Sequence, residues 1–248
     1  AGVLASVQKE FPGEEYELAH LSAKFQSFAK PDAADGQLLA MLVKAAVELT
    51  TQEAPRWEII AARLLMVQFD RALAERLAAR HIETFAQKVA FLTEEGLYGD
   101  YILQHYTPAE LDEAAGFIDL SRNDLFTYAG LQLLLDRYVI RTHQGAPLES
   151  PQEMFLGIAL HLAMEEREGE RMGWVRRFYD MLSTLKVTMA TPTLSNARKP
   201  FHQLSSCFID TVPDSLDGIY RSIDNFAKVS KYGGGMGLYF GKVLSLIH

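Results

Sequence analysis

The 248 residues are 48% hydrophobic and 23% charged, the balance of a chain that folds around a core and not of one that stays disordered. There is no run of about 18 apolar residues, and the start AGVLASVQKEF has neither the basic head nor the apolar stretch of a signal peptide, so a cytoplasmic protein without membrane contact is expected. The net charge of −8 is uneven, because residues 187–248 hold six Lys/Arg against four Asp/Glu, net +2, leaving −10 for residues 1–186; so acidic a front excludes a general nucleic-acid binder.

In chain order, the pattern from about residue 37 to 185 is helical with one interruption. Leu38, Leu42, Val43, Ala46 and Leu49 fall on one helical face. A second helix is expected to open at Pro55, where the missing N–H costs nothing, and to run through Trp57, Ile60, Leu64 and Leu65 against the first. Thr107-Pro-Ala-Glu110 and Ser150-Pro-Gln-Glu153 are capping boxes, so each predicts a helix start. Between them Tyr138-Val-Ile-Arg141, followed by Gln144-Gly145, predicts a short hairpin. Helix resumes at Pro151 and again over 173–186 around Trp174, Phe178 and Leu182.

After Lys186 the texture changes to short β-type runs, Val187–Ala190, Cys207–Thr211 and Leu238–Phe240, with one helix near 215–231 and the glycine run Gly233-Gly-Gly-Met-Gly237. A domain boundary is placed near 186. Cys207 is the single cysteine, which excludes an internal disulfide, and the seven histidines show no HxxxH or HxH spacing, so no metal is expected on this chain. Asp214 suits the N-cap of a helix carrying Ile219, Ile223 and Phe226, and a helix N-terminus favours phosphate. The glycine run fits neither GxGxxG nor GxxxxGK[ST] and by itself reads as a loop.

Taken in order, Ala190-Thr-Pro-Thr-Leu-Ser-Asn-Ala-Arg198, Gln203-Leu-Ser-Ser-Cys207, Asp214-Ser-Leu216, Lys231 and the glycine run resemble the large subunit of class I ribonucleotide reductases. The stretches APRWEIIAARL, RNDLFTYAGLQLLLDRYVI and RRFYDMLSTLKV resemble the helical N-terminal region of the same family, so the likeness covers nearly the whole chain. It implies a mainly α architecture with an α/β part: a helical domain over 1–186, then over 187–248 the first strands and one helix of a ten-stranded α/β barrel.

The resemblance also implies a reaction, in which a thiyl radical removes the 3'-hydrogen of a ribonucleoside diphosphate and the 2'-hydroxyl leaves as water. Cys207 matches one of the two redox-active cysteines, which must be thiols because only a pair of thiols can give up electrons and close to a reopenable disulfide. Thr191 and Ser206 match substrate-binding hydroxyls, and Gly235 a glycine whose backbone approaches the substrate. Asp214, Ser215 and Leu216 match an effector site for a dNTP, with Asp214 expected on the sugar hydroxyl and Lys231 nearer the phosphates or base.

By the same resemblance the radical cysteine, the second redox cysteine and the radical-relay tyrosines belong downstream of these residues. The chain is therefore expected to need the remaining C-terminal part of the large subunit, a small subunit carrying a metal-radical cofactor, and thioredoxin or glutaredoxin as reductant. No ATP cone is recognisable at the front. After Val243 the tail Leu244-Ser-Leu-Ile-His248 departs from the family pattern, which reads as a truncation or split point. The alternative is a catalytically inactive module that keeps the dNTP site or the subunit contact.

Overall fold

In the computed structural model, which describes Leu4, Val7 and residues 9–29 and 33–244, the helices follow the apolar spacing of the sequence. Helix α1 (Leu18–Gln26) packs on α2 (Asp35–Glu48), and α2 on α3 (Trp57–Ala78). The expected partnership of the first two periodic segments is thus that of α2 and α3, but α3 begins at Trp57, and Pro55 lies in the preceding turn. Helix α3 threads two cores. Trp57, Ile60 and Leu64 pack with Phe11, Tyr16, Leu21 and Val43, whereas Met66, Phe69 and Leu73 belong to the main core.

Three capping boxes fix helix starts by pairing a hydroxyl with an N3 amide and an N3 side chain with the cap's own N–H. Thr84 opens α4 (Phe85–Glu94), and α5 (Tyr101–His105) follows. Thr107 opens α6 (Pro108–Ala115) with its N–H 2.8 Å from the Glu110 carboxylate, and the Thr127 hydroxyl caps α7 (Tyr128–Arg137). Ser150 opens α8 (Pro151–Ala163) with its N–H 2.8 Å from Glu153. Helix α8 is apolar on every side, and Met154, Leu156, Ile158, Ala159 and Leu160 are all fully buried. A helix of that kind has to be surrounded; α6 and α9 (Glu168–Ser183) flank it.

The hairpin between α7 and α8 is minimal. Leu148 N–H reaches Ile140 O, Thr142 N–H reaches Ala146 O and Gly145 turns the chain at φ 86°. Pairing stops at one bridge between Arg141 and Pro147, since proline has no N–H to extend a ladder. Helix α9 ends at Ser183 and not at 186, because Leu185 adopts a left-handed conformation (φ 57°) and the Lys186 and Val187 amides turn back to Met181 O.

The expected strand Val187–Ala190 is not formed; it is an extended lead into α10 (Thr191–Asn196), whose second residue is Pro192. Leu194 and Ala197 lie in the main core beside α8, so residues 191–198 pack with the helical body although they follow Lys186.

The chain then forms β1 (Cys207–Thr211), α11 (Leu216–Lys231) and β2 (Gly235–Tyr239). The strands pair in parallel, Cys207 opposite Gly235 and Thr211 opposite Tyr239, and parallel neighbours need a crossover such as α11 supplies. The glycine run is therefore mostly strand, and β2 begins ahead of the expected Leu238–Phe240. Among the described residues the sheet has two strands. The tail of the chain from 245 to 248 lies outside the described residues.

Candidate functional site

Helix α10, which carries Thr191, is held from beneath by a buried ion pair. Arg198 and Glu149 are 0% exposed, and Arg198 Nε donates to both Glu149 oxygens at 2.9 and 3.0 Å. The other guanidinium nitrogens reach backbone: Nη1 donates to Leu194 O in α10 and Nη2 to Tyr138 O at the end of α7, each at 2.8 Å. Glu149 also accepts from the Ile140 amide at 3.2 Å and from the Tyr98 hydroxyl at 2.7 Å. Burial, and then the charge of Glu149, push the Tyr98 phenol well above its ordinary pKa, so it stays a donor. Burial, reinforced by the Arg198 charge, lowers that of neighbouring Lys199.

At its other end α10 meets the two strands through Asn196. Its amide donates to Gln203 O at 3.0 Å and to Tyr232 O at 3.2 Å, joining the segment before Cys207 to the segment before the glycine run. Phe201 stacks on Tyr232 at 3.8 Å between centroids. A Cβ on Gly233 would come within 4.0 Å of Pro192 Cγ, so the start of α10 abuts the glycine run.

The expected substrate residues are thereby gathered on three neighbouring segments. The Cys207 thiol is exposed, Ser206 Oγ lies 3.5 Å from it, and the Gly235 amide donates to Ser206 O at 2.7 Å. Thr191 sits at the first turn of α10, with its hydroxyl 3.2 Å from the Tyr138 hydroxyl. On the strand face that carries Cys207, Gly235 and Gly237, Ile209 is 88% exposed. A Cβ on Gly235 would meet nothing closer than 3.6 Å and one on Gly237 nothing closer than 3.9 Å. Packing among the described residues does not demand these two glycines, so their bareness leaves backbone open to something else. By contrast, a Cβ on Gly234 would sit 2.7 Å from Val229 and 2.9 Å from Phe208, so that glycine is needed for α11 to lie on the strands.

The effector residues are arranged differently from the expectation. Ser215, not Asp214, is the N-cap of α11, its hydroxyl accepting from the Gly218 amide at 3.1 Å. Asp214 stands one residue earlier, exposed, because Pro213 packs where a Gly218 side chain would be and turns the chain into the helix at Ser215. Lys231 ends α11, and at about 1.5 Å per residue the helix sets it roughly 24 Å from the Ser215 cap. It belongs spatially to the Tyr232–Gly233 end. Helix α11 also exposes an apolar stripe, with Leu216 71%, Tyr220 64%, Ile223 49% and Phe226 43% accessible.

A cavity of about 460 Å³ lies between α7, the end of α9 and α10, walled by Phe126, Leu134, Phe155, Met189 and Leu194 with Tyr138 and Thr191 on its lining. Ser206, Cys207 and Gly235 do not line it. Among the described residues no three His, Cys, Asp or Glu side chains cluster as metal ligands, and no helix is long and apolar enough to cross a membrane. Sequence reasoning missed Tyr98 and Glu149, read Tyr138 only as part of the hairpin, and saw Arg198 only as part of a motif. The one signal for Glu149 was its place directly before the Ser150 capping box.

A helical body that ends in α10 and hands over to a parallel β-α-β unit bearing an exposed thiol agrees with two known domains. Residues 124–202 match the ribonucleotide reductase all-alpha domain and residues 205–245 the ribonucleotide reductase barrel domain. The chain belongs to the ribonucleotide reductase family. More particularly, it is similar to alpha subunits of ribonucleoside-diphosphate reductase: 62% identical to that of Treponema pallidum over 98% of this chain and 28% of that subunit, and 35% identical to that of Helicobacter pylori over 83% of this chain and 25% of that subunit. The alpha subunit of ribonucleoside-diphosphate reductase 1 of Escherichia coli K12 is 30% identical over 83% of this chain and 27% of its own length. The chain thus spans about a quarter of the length of the curated relatives it matches.

Proposed function

We propose that this chain supplies the N-terminal share of the active site in the large subunit of a class I ribonucleotide reductase, acting on ribonucleoside diphosphates. The observation that carries the reading is the exposed Cys207 thiol, beside Ser206 and paired across the strands with Gly235, on a sheet face left open among the described residues. Bare glycine amides and hydroxyls suit phosphate and ribose oxygens. In the reaction Cys207 and a second thiol from outside this chain lose two electrons and two protons and close to a disulfide, while the 2'-oxygen of the substrate leaves as water. A thioredoxin- or glutaredoxin-type dithiol then reopens the disulfide. A metal-radical cofactor held by the small subunit supplies the radical that starts each turnover.

Because only one cysteine is present, the chain by itself is expected to form no deoxynucleotide with any small subunit; formation by the purified chain would refute the reading. In the completed enzyme Cys207→Ser should stop multiple turnover and leave nucleotide binding nearly intact, since a hydroxyl cannot take part in disulfide exchange. Full turnover of that variant with a dithiol reductant would remove Cys207 from the redox pair.

The same reading places a dNTP effector at Asp214, Ser215 and Leu216, with the acidic side chain on a sugar hydroxyl. Lys231 of the same copy is too far along α11 to share that nucleotide. Both groups can serve one ligand if two copies lie antiparallel along the exposed stripe of Leu216, Tyr220, Ile223 and Phe226, which sets Lys231 of the second copy level with Asp214. Ile223→Glu should then lower both self-association and dNTP affinity in the full-length subunit, measured by sedimentation and calorimetry. Unchanged affinity in a variant that is monomeric would overturn the two-copy site.

A further inference from the structure

The Tyr138 hydroxyl has one hydrogen-bond partner among the described residues, the hydroxyl of Thr191 at 3.2 Å. Tyr138 is 7% exposed and lines a cavity whose other walls are largely leucine, phenylalanine and methionine side chains, so its phenol has few polar alternatives. Both halves of the contact are fixed by one guanidinium: Arg198 donates to Tyr138 O and to Leu194 O, in the helix that begins with Thr191. The ion pair with Glu149 holds that guanidinium.

We infer that Tyr138 is a positioning residue that aims the Thr191 hydroxyl at a phosphate oxygen of the substrate. The inference rests on the reading of Thr191 as a substrate contact. A threonine hydroxyl has one hydrogen and two lone pairs, whereas an ionised phosphate only accepts. When the phenol donates to Thr191, a lone pair of that hydroxyl is occupied and its single hydrogen is left for the phosphate. Removing the phenol's hydrogen bond frees the hydroxyl to rotate, and part of the binding gain is spent on orienting it.

The test uses the full-length large subunit with its small subunit, comparing wild type, Tyr138→Phe, Thr191→Val and the double variant. The measured quantities are KM and kcat for a ribonucleoside diphosphate, nucleotide affinity by equilibrium dialysis, and the melting temperature. Tyr138→Phe should raise KM and the dissociation constant about 3- to 10-fold, the range of one net hydrogen bond, with kcat and melting temperature little changed. Thr191→Val should raise them at least as much, and the double variant should match Thr191→Val. If Thr191→Val leaves both constants unchanged, Thr191 is not a substrate contact. If Thr191→Val raises them while Tyr138→Phe does not, or the two effects multiply, the contact reading stands and the positioning role is overturned. A purely structural Tyr138 would lower the melting temperature without moving KM, and that also overturns it. Should Tyr138→Phe fail to fold, Thr191→Ser, which keeps the hydroxyl, must retain near wild-type KM for the role to stand.

Discussion

The helical body and the β-α-β unit solve the problem of polar groups in opposite ways. In the body an arginine and a glutamate are removed from water altogether, and besides each other's charge four other groups satisfy them: the Tyr98 hydroxyl, the Tyr138 and Leu194 carbonyls and the Ile140 amide. In the β-α-β unit the polar and apolar groups alike face outward, with Ile209 88% and Leu216 71% exposed. The first region is finished by its own residues, and the second has a built inner layer, α11 against the strands, with its other faces left for something to cover. Among the described residues β1 and β2 pair only with each other, and a strand edge left open in this way pairs readily with further strands.

The comparison is broken most forcefully at the ion pair. Arg198→Met should strand the Glu149 carboxylate in the core and cost about 3–5 kcal/mol, the usual penalty for removing one member of a buried pair. Urea unfolding should show a much lower midpoint. Ile209→Asn, at an exposed strand position, should leave the midpoint unchanged. If the two variants unfold alike, the body is not the closed unit described here.

A smaller effect is expected at Gly157, in the middle of α8. A Cβ there would lie 2.8 Å from both Arg198 Cδ and the Tyr98 hydroxyl oxygen, so Gly157→Ala forces the network apart. Overpacking of a filled core costs about 1–3 kcal/mol, against the gain of roughly 1 kcal/mol that alanine otherwise brings to a helix interior. A stabilised Gly157→Ala variant would mean that the network gives way easily.

These residues also show what a sequence can and cannot reveal. The capping boxes at Thr107 and Ser150 were legible because their partners are three residues apart, and the face of α2 because its period is local. Cys207–Thr211 read as a strand for the same reason. Arg198 and Glu149 are 49 positions apart, and no periodicity links a glutamate before one helix to an arginine after another. Val187–Ala190 looked like a strand from its composition, but a strand needs a partner, and none lies beside it among the described residues. The gathering of Thr191, Ser206, Cys207 and Gly235 rests on Asn196, whose amide bridges residues 203 and 232. That link is invisible until the chain is folded. The domain boundary shows the same limit: the change of texture at Lys186 marks where helix content falls, whereas the core continues to Ala197.

The smallest effect separates two adjacent residues at the start of α11, where a structural and a ligand-binding role can be told apart. Ser215 accepts from the Gly218 amide and therefore satisfies one of the four N–H groups that a helix start leaves open. Ser215→Ala should cost about 1 kcal/mol of stability, as N-cap removal usually does. The Asp214 side chain makes no such bond, since the cap is one residue further on. Asp214→Ala should leave the unfolding midpoint where it is, and any consequence it has must be read in a ligand. If Asp214 holds the sugar hydroxyl of a dNTP, Asp214→Ala in the full-length subunit weakens effector binding at every salt concentration. Lys231→Ala, acting on that nucleotide from the second copy, weakens it chiefly at low salt, where an exposed cation attracts phosphate over a longer range. Calorimetry at two salt concentrations distinguishes them. Equal dTTP and dATP affinity with and without both substitutions would show that this end of α11 is a capped helix and nothing more.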